Sequence, residues 1–307
     1  MKSRKSNCDP DSSGYTGRFA PSPSGPLHFG SLLAAVASYL DARSQRGRWL
    51  MRMEDLDPER EPPGTDKLIL QQLQDFGLCW DGEVIYQSSR LSAYAEAFRQ
   101  LDSRGLCYRC DCSRQRIKAL GSVYDRHCRN RSLPDDSDAA IRLRTDDRKI
   151  EFEDLIQGPQ SQQIAQQTGD FIIRRRDGLF AYQLAVVVDD AMQDITHVVR
   201  GWDLLESTPR QIYLQRLLGY RTPVYAHVPI ITNESGQKLS KQHFAEPLDA
   251  AHRDKLLTRC LHFLGLQPGP EISRLSVAEQ LRWATGRWHI QAVPKLATIP
   301  EVSLIPE

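Results

Sequence analysis

Residues 15–54 read YTGRFAPSPSGPLHFGSLLAAVASYLDARSQRGRWLMRME, and this stretch decides the fold. Residues 15–20 predict a short strand, and residues 21–26 form a turn rich in Pro, Ser and Gly. The apolar run at 32–40 predicts a buried helix, and residues 48–54 predict a second strand that ends in acidic residues. This order of strand, glycine turn, helix and strand indicates a βαβ unit with parallel strands and a right-handed crossover.

The alternation of strands and helices continues along the chain and predicts a doubly wound α/β fold. Helices are predicted near 65–76, 92–103 and 208–218, and a buried strand at 196–201. Residues 171–175 and 180–190 flank the turn Asp177-Gly178 and predict a β-hairpin. Beyond Lys241 the pattern predicts two more helices, at 249–265 and 276–285.

Composition limits the classes of protein to which the chain can belong. Its 307 residues carry 40 Lys and Arg against 39 Asp and Glu, so any contact with nucleic acid requires a local basic face rather than bulk charge. The mean hydropathy is −0.49, and no apolar run approaches the roughly 20 residues that cross a bilayer. The N-terminus lacks the apolar core of a secretion signal. We therefore expect a cytoplasmic protein with no membrane association.

Two separated segments have features of a phosphate site. His28 and Gly30 lie in the turn before the first helix, where glycine lets a ligand approach and the helix N-terminus offers free N–H groups to an anion. Lys238 and Lys241 lie in a glycine-led loop, and two ammonium groups there suit a pyrophosphate. Each segment alone has an ordinary alternative: a proline-rich loop with an incidental histidine, or a solvated surface loop.

The two segments together, His28-Phe29-Gly30-Ser31 and Lys238-Leu239-Ser240-Lys241, resemble the paired nucleotide motifs of class I aminoacyl-tRNA synthetases. Residues 17–25 and 52–57 are similar to the glutamyl branch of that family, and the resemblance spans roughly residues 15–245. It implies that ATP is bound with Mg²⁺ and that catalysis depends on His28, Gly30, Lys238 and Lys241. The residues implied in ATP binding are His28, Gly30, Ser31, Lys238, Ser240 and Lys241.

A glutamate pocket needs cations for two carboxylates and an anion for the ammonium group. Arg18 and Arg200 can each bind a carboxylate through two hydrogen bonds. Glu54 follows a core strand, where ligands of parallel sheets bind, and Tyr182 can close the pocket. Alternatively, Arg200 pairs with Asp203, and Tyr182 is a core residue.

The resemblance assigns a larger set of residues to glutamate binding. It implies that the α-carboxylate of L-glutamate attacks the α-phosphate of ATP and forms glutamyl-adenylate without a covalent enzyme intermediate. We expect His197 and His227 to be core or surface residues outside this set. The set is Arg18, Phe19, Ala20, Pro21, Ser22, Glu54, Tyr182 and Arg200.

Four of the seven cysteines lie between residues 107 and 128, which in a reducing compartment indicates a metal site rather than disulfides. Three thiolates and one further donor suit zinc, with Tyr124, Cys107 or His127 as the fourth ligand. Reduced cysteines in an apolar patch are the alternative. The resemblance favours Tyr124, because glutamyl-type synthetases and their short paralogues carry a structural zinc here with a tyrosine ligand. The implied set is Cys110, Cys112, Tyr124 and Cys128.

Chain length distinguishes between relatives in this family. Full glutamyl enzymes carry an anticodon-binding region after the lysine loop, whereas only about 66 residues follow Lys241 here. Such a short form resembles paralogues that activate glutamate without tRNA and esterify it to the cyclopentenediol of queuosine, the wobble base of tRNA(Asp). We therefore expect no anticodon-binding domain. The catalytic domain itself would receive the anticodon stem-loop.

The sequence pattern predicts an α/β fold with a Rossmann-like doubly wound parallel sheet, and the resemblance implies that it is of the class I synthetase type. We expect a monomeric protein. Residues 1–14 are predicted to be a disordered tail, and residues 15–106 and 166–245 to be the two halves of the nucleotide-binding domain, the second with the lysine loop. A zinc-bearing, acceptor-binding insertion is predicted at 107–165, and a small C-terminal helical subdomain at 246–307.

Two other functions are compatible with the sequence: a truncated glutamyl-tRNA synthetase that charges a tRNA 3′ end, and a non-catalytic module that binds RNA or nucleotide. The intact phosphate-site residues argue against the second. Six basic residues of the insertion form either a phosphate-binding face or a solvated surface. They are Arg114, Arg116, Lys118, Arg126, Arg129 and Arg131.

Overall fold

The computed structural model describes residues 14–121, 123–134, 137–233 and 248–300. The βαβ unit predicted from the sequence is confirmed as strand β1 (Thr16–Phe19), helix α1 (Phe29–Ser44) and strand β2 (Arg48–Met53). β1 and β2 run parallel. Helix α1 is stabilised because its apolar side chains are buried in the hydrophobic core.

Three elements follow the βαβ unit: helix α2 (Thr65–Asp75), strand β3 (Ile85–Tyr86) and helix α3 (Leu91–Asp102). β3 pairs with β2 in parallel and extends the sheet. Both helices lie where the sequence predicts them.

The region between the two halves of the fold contains two small antiparallel units. In chain order, the elements are β4 (Cys107–Cys110), α4 (Arg114–Ala119), β5 (Ala140–Leu143), β6 (Lys149–Asp154), β7 (Gly158–Gln163), α5 (Ile164–Gln167) and β8 (Ile172–Arg174). β4, β5 and β8 form a three-stranded sheet, and β6 and β7 form a hairpin.

The second half of the fold returns to parallel pairing. Its elements are α6 (Tyr182–Met192), β9 (His197–Gly201), α7 (Thr208–Leu218), β10 (Val224–Val228) and β11 (Ile230–Thr232). β9 and β10 are parallel neighbours, and β10 also pairs with β6, where Tyr225 lies opposite Asp154. Helix α7 is capped by Gly219, as predicted, with a left-handed φ of 73° that favours glycine.

The predicted hairpin around Asp177-Gly178 is wrong in its second arm. Phe180 forms a single antiparallel bridge with Arg174, but the chain then enters helix α6 instead of continuing as a strand. The apolar run in α6 is buried on all sides, and such a run does not distinguish a buried strand from a buried helix. The helical form places Asp189 and Asp190 where they pair with arginines of distant segments.

The ligand-facing edge of the sheet is set by contacts between its two halves. The N–H of Thr196 donates to the carbonyl of Thr16 at 2.9 Å, which sets the start of β9 beside the start of β1. The carboxyl ends of β1, β2 and β9 therefore meet at one edge, where ligands of parallel sheets bind.

Two helices and a strand complete the described chain: α8 (Arg253–Phe263), α9 (Val277–Thr285) and β12 (Thr298–Pro300). Both helices lie within the predicted ranges, and their apolar side chains share one hydrophobic cluster with α1. β12 pairs with β11 in parallel. None of the helices in the described ranges is long and apolar enough to cross a membrane.

Candidate active site

A cavity of about 730 Å³, the main cavity, opens at the carboxyl ends of β1, β2 and β9. The structure brings all eight sequence-predicted glutamate residues to its wall, together with His28 and Ser31 of the phosphate motif. Sequence reasoning missed Ser24 and Asp203, which also line it. The predicted residues on the wall are Arg18, Phe19, Ala20, Pro21, Ser22, His28, Ser31, Glu54, Tyr182 and Arg200.

Two buried arginines supply the positive charge of the main cavity. Arg18 in β1 is 3% exposed and donates its Nε–H to Asp190 at 3.3 Å. Arg200 in β9 is 5% exposed and donates its Nε–H to His227 at 3.0 Å. Its Nη1 atom is buried without a hydrogen-bond partner in the described part of the chain. A buried guanidinium nitrogen that has no partner among the described residues is suited to an anionic ligand.

Glu54 supplies a carboxyl group to the wall of this cavity. It directly follows β2, and its N–H donates to the carbonyl of Pro21 at 3.0 Å, which holds it beside the turn after β1. Burial raises the pKa of the Glu54 carboxyl to about 7, although the nearby Arg52 and Arg18 lower it. An ammonium group would favour the charged form of this carboxyl.

Beneath the cavity lies a buried charge network that sequence reasoning missed. Arg52 is fully buried and donates to Asp190 at 2.8 Å, while Asp189 accepts hydrogen bonds from Tyr94 and Gln87. Breaking such a buried pair by removing one partner costs about 3–5 kcal/mol. Two features of the sequence could have indicated this network: Arg52 inside an apolar strand, and Asp189 and Asp190 at the end of an apolar run. Charged residues at such positions are buried only when they have partners.

Tyr182, the first residue of α6, lies on the cavity wall. Burial raises the pKa of its hydroxyl, so this group remains protonated and able to donate a hydrogen bond.

The structure describes only the first of the two segments of the phosphate motif. His28 is the N-cap of α1: its Nδ1 accepts from the N–H of Ser31 at 3.3 Å, and its Nε2 lies 3.0 Å from the Ser31 hydroxyl. The imidazole therefore satisfies one of the free N–H groups at the helix N-terminus while facing the cavity. Gly30 lies in the first turn of α1. Lys238, Ser240 and Lys241 lie outside the described residues.

The cysteine-bearing segment brings four donors together. The Sγ atoms of Cys110, Cys112 and Cys128 lie within 4.8 Å of one another, so these three residues could hold a metal ion. The Tyr124 hydroxyl oxygen lies 3.4 Å from the first of these sulfurs and 3.6 Å from the second. Donors about 2.3 Å from a tetrahedral zinc are separated by about 3.8 Å. The four residues therefore fit zinc.

The two alternative fourth ligands are not part of this group in the described chain. Cys107 and Cys110 are three residues apart in β4, so their side chains point to opposite faces of the strand. Cys107 is buried in the hydrophobic cluster around α6, whereas Cys110 packs with Tyr124. His127 is exposed.

The structure divides the six basic residues of the predicted RNA face. Four have carboxylate partners: Arg116 pairs with Asp125, Arg131 with Asp111, and both Arg126 and Arg129 with Asp170. The other two, Arg114 and Lys118 on α4, are exposed, and in the described part of the chain they have no recorded ion pair.

Arg114 and Lys118 line a second cavity, of about 820 Å³, which we call the basic cleft. Three more arginines that sequence reasoning did not assign to RNA lie on its wall. They are Arg142, Arg175 and Arg176.

Sequence comparisons identify close relatives over nearly the whole chain. The family of class I tRNA synthetases (E and Q), catalytic domain, matches residues 16–256. The chain is 51% identical over 293 residues to the glutamyl-Q tRNA(Asp) synthetase of Pseudomonas fluorescens, covering 95% of this chain and 98% of that protein. It is 52% identical over 292 residues to the protein of the same name from Pseudomonas paraeruginosa, covering 95% and 99%.

Solved structures of glutamate-tRNA synthetases are similar to this chain at lower identity. A glutamate tRNA ligase from Elizabethkingia meningosepticum, in complex with its amino acid, aligns with a TM-score of 0.76 and 26% identity, covering 92% of this chain and 66% of that ligase. A glutamate-tRNA synthetase from Elizabethkingia anophelis aligns with a TM-score of 0.77 and 26% identity, covering 93% and 68%. The chain belongs to the glutamyl-Q tRNA(Asp) synthetase family, within the class I (E and Q) tRNA synthetases.

Proposed function

We propose that this protein is a ligase that activates L-glutamate with ATP in the absence of tRNA and transfers the glutamyl group to the cyclopentenediol of queuosine in tRNA(Asp). Relatives with the corresponding name match 95% of the chain. The observation that carries the proposal is the convergence of Arg18, Arg200, Glu54 and His28 on one cavity.

Glutamate recognition follows from the charges on the cavity wall. Arg18 and Arg200 provide guanidinium groups for the two carboxylates, and Glu54 provides the anion for the ammonium group. Tyr182 closes the pocket and offers its hydroxyl as a donor. Because these residues are held by buried protein contacts, the site is formed before a ligand arrives.

The first reaction takes place between glutamate and ATP. The α-carboxylate oxygen attacks the α-phosphorus, the bond to the β-phosphate oxygen breaks, and pyrophosphate leaves. His28 and the helix N-terminus with Gly30 and Ser31 bind phosphate oxygens, and the loop with Lys238, Ser240 and Lys241 stabilises the departing charge. Mg²⁺ bound with ATP supplies further positive charge. In support, the N–H of Leu248, the first described residue after this loop, donates to the carbonyl of Leu27 on the cavity wall at 3.3 Å.

The second reaction requires a route for the acceptor base. A hydroxyl oxygen of the cyclopentenediol attacks the acyl carbonyl carbon, the bond from that carbon to the phosphate oxygen breaks, and AMP leaves while the hydroxyl proton passes to solvent. A smaller cavity of about 410 Å³ shares Ser22, Ser24, Glu54 and Tyr182 with the main cavity and Arg175 with the basic cleft. This continuity supports a path in which the base enters beside glutamate while the basic cleft binds the phosphates of the anticodon loop.

Zinc has a structural role in this proposal. The hydrophobic cluster around the cysteines contains few buried residues, among them Tyr108 and Tyr124, so the segment has little core of its own. Zinc held by Cys110, Cys112, Tyr124 and Cys128 would supply folding energy and hold α4 with its basic residues.

Two assays test the proposal. Glutamate-dependent exchange of pyrophosphate into ATP without RNA is expected, and its absence would leave only a non-catalytic module. Labelled glutamate should then be transferred to tRNA(Asp) that carries queuosine and not to the same tRNA without it. Equal labelling of both would instead indicate a truncated synthetase that charges the 3′ end.

A further inference from the structure

Three buried polar residues that have no role in the proposed reaction hold Arg200 through hydrogen bonds, directly or through one another. Thr208 and His227 are completely buried, and Asp154 is 1% exposed. They come from three separate elements: β6 ends at Asp154, α7 begins at Thr208, and His227 lies in β10. Polar groups at such depth need hydrogen-bond partners.

These residues form a continuous chain of hydrogen bonds that ends at the arginine. Asp154 Oδ2 lies 2.5 Å from His227 Nδ1, and His227 Nε2 accepts from Arg200 Nε at 3.0 Å. Thr208 Oγ1 accepts from Arg200 Nη2 at 2.8 Å. Asp154 is also fixed in position, since its Oδ1 accepts the N–H groups of His227, Ile156 and Gln157.

The direction of these hydrogen bonds determines the tautomer of His227. Arg200 is always a donor, so Nε2 must carry a lone pair and Nδ1 must carry the hydrogen that it donates to Asp154. Burial lowers the pKa of His227 to about 4, and the positive charge of Arg200 acts in the same direction. The imidazole is therefore neutral and does not add a second cation beside the guanidinium.

These hydrogen bonds leave one guanidinium nitrogen of Arg200 available to a ligand. Nε and Nη2 are used by His227 and Thr208, whereas Nη1 is buried without a hydrogen-bond partner in the described residues. Arg200 lines the main cavity. Two hydrogen bonds on one side of a planar guanidinium set its plane and rotation, and hence the direction of Nη1.

We propose that Asp154 and His227 are positioning residues for glutamate binding, which orient Arg200 so that its Nη1 meets a carboxylate of the substrate. This inference rests on the proposed activation of glutamate. Asp154 lies at the end of β6 in the β6–β7 hairpin and acts on Arg200 through His227, so a strand outside the βαβ unit would contribute to amino acid binding.

Paired substitutions at His227 separate positioning from general stability. His227→Gln keeps an acceptor near the place of Nε2, whereas His227→Asn retains only groups near the place of Nδ1 and does not reach Arg200. We expect His227→Asn to raise the KM for glutamate in pyrophosphate exchange about tenfold or more, the scale of one lost hydrogen bond to a charged group. The KM for ATP should change less than twofold, and His227→Gln should restore most of the glutamate affinity.

Two further variants complete the experiment. Asp154→Asn keeps an acceptor for Nδ1 without the charge and should raise the KM for glutamate less than His227→Asn does. Gln280→Met removes buried hydrogen bonds to Thr258 and to the Leu275 carbonyl in the α8–α9 pair. It is a control for lost stability and should leave the KM for glutamate unchanged.

Two results would overturn the inference: equal increases of both KM values in His227→Asn, or an unchanged KM for glutamate in a folded His227→Asn protein. If the unmodified protein shows no glutamate-dependent exchange, the proposed function itself fails, which is a separate outcome.

Discussion

The main cavity and the cysteine-bearing segment differ in how they hold their charged residues. In the cavity, Arg18 and Arg52 are buried and pair with Asp190, which lies 172 and 138 residues away in sequence. In the cysteine-bearing segment, Arg116 pairs with Asp125 only 9 residues away, and both side chains are more than 30% exposed. The charge pairs of the cavity thus depend on contacts across the whole fold. The cysteine-bearing segment also contains exposed local pairs, beside the contacts of its Arg126 and Arg129 with the buried Asp170. Activation and transfer should therefore be separable.

The largest expected effect comes from removing a cation of the cavity. Arg200→Met should lower kcat/KM for glutamate in pyrophosphate exchange about 100-fold, because hydrogen bonds to a charged group are worth about 1.5–3 kcal/mol each. The matched control is Arg116→Met, the same substitution in an exposed pair, which should leave exchange unchanged. A loss below threefold for Arg200→Met would show that glutamate binds elsewhere.

Replacing a predicted zinc ligand tests whether the cysteine-bearing segment acts in transfer to RNA rather than in activation. Cys110→Ser should reduce bound zinc, measured by elemental analysis, and lower transfer to RNA about tenfold, since α4 and its basic residues lose their anchor. Pyrophosphate exchange should stay within about threefold of the unmodified protein. Cys79→Ser, at an exposed cysteine outside the cluster, is the control. Equal losses of exchange and transfer would refute the separation.

The ionisation of Glu54 predicts how glutamate activation in the main cavity depends on pH. Burial raises its pKa to about 7, so at lower pH the carboxyl becomes neutral and no longer pairs with the glutamate ammonium group. We expect kcat/KM for glutamate to fall up to about tenfold per pH unit below this value. Glu54→Gln should have low activity without this dependence. An unmodified protein whose kcat/KM is constant between pH 6 and 8 would contradict the assignment.

The smallest effect concerns the basic cleft. Replacing Arg114 and Lys118 with Ala should raise the KM for tRNA about three- to tenfold and reduce the salt dependence of binding, because each phosphate contact contributes about one unit of slope. Exchange should not change. Arg116→Ala, whose side chain is already paired with Asp125, should have a smaller effect on tRNA binding. Equal effects of the two variants would argue against phosphate binding in this cleft.

Local pattern was enough to predict much of the fold. The βαβ unit, α2, α3 and α7 were all visible as apolar runs bounded by turns, and they lie where expected. The same signal failed at α6, because a run buried on every side carries no period that separates helix from strand.

Motifs predicted the residues on the wall of the cavity better than the residues that hold them. Arg18, Glu54 and Arg200 lie within recognisable segments, but Asp190 and Asp154 act through partners that only the folded chain brings near. Cys107 was a reasonable metal ligand by spacing alone. The alternation of side chains along β4 directs it away from the cysteine group.

The most direct measurement is a crystal structure of the protein with a non-hydrolysable glutamyl-adenylate analogue. We expect the glutamyl carboxylate on Arg18 or Arg200, the ammonium group on Glu54, and the phosphate between His28 and the lysines at 238 and 241. An analogue bound away from the main cavity, or an imidazole and lysines that face unrelated surfaces, would contradict the proposed activation of glutamate.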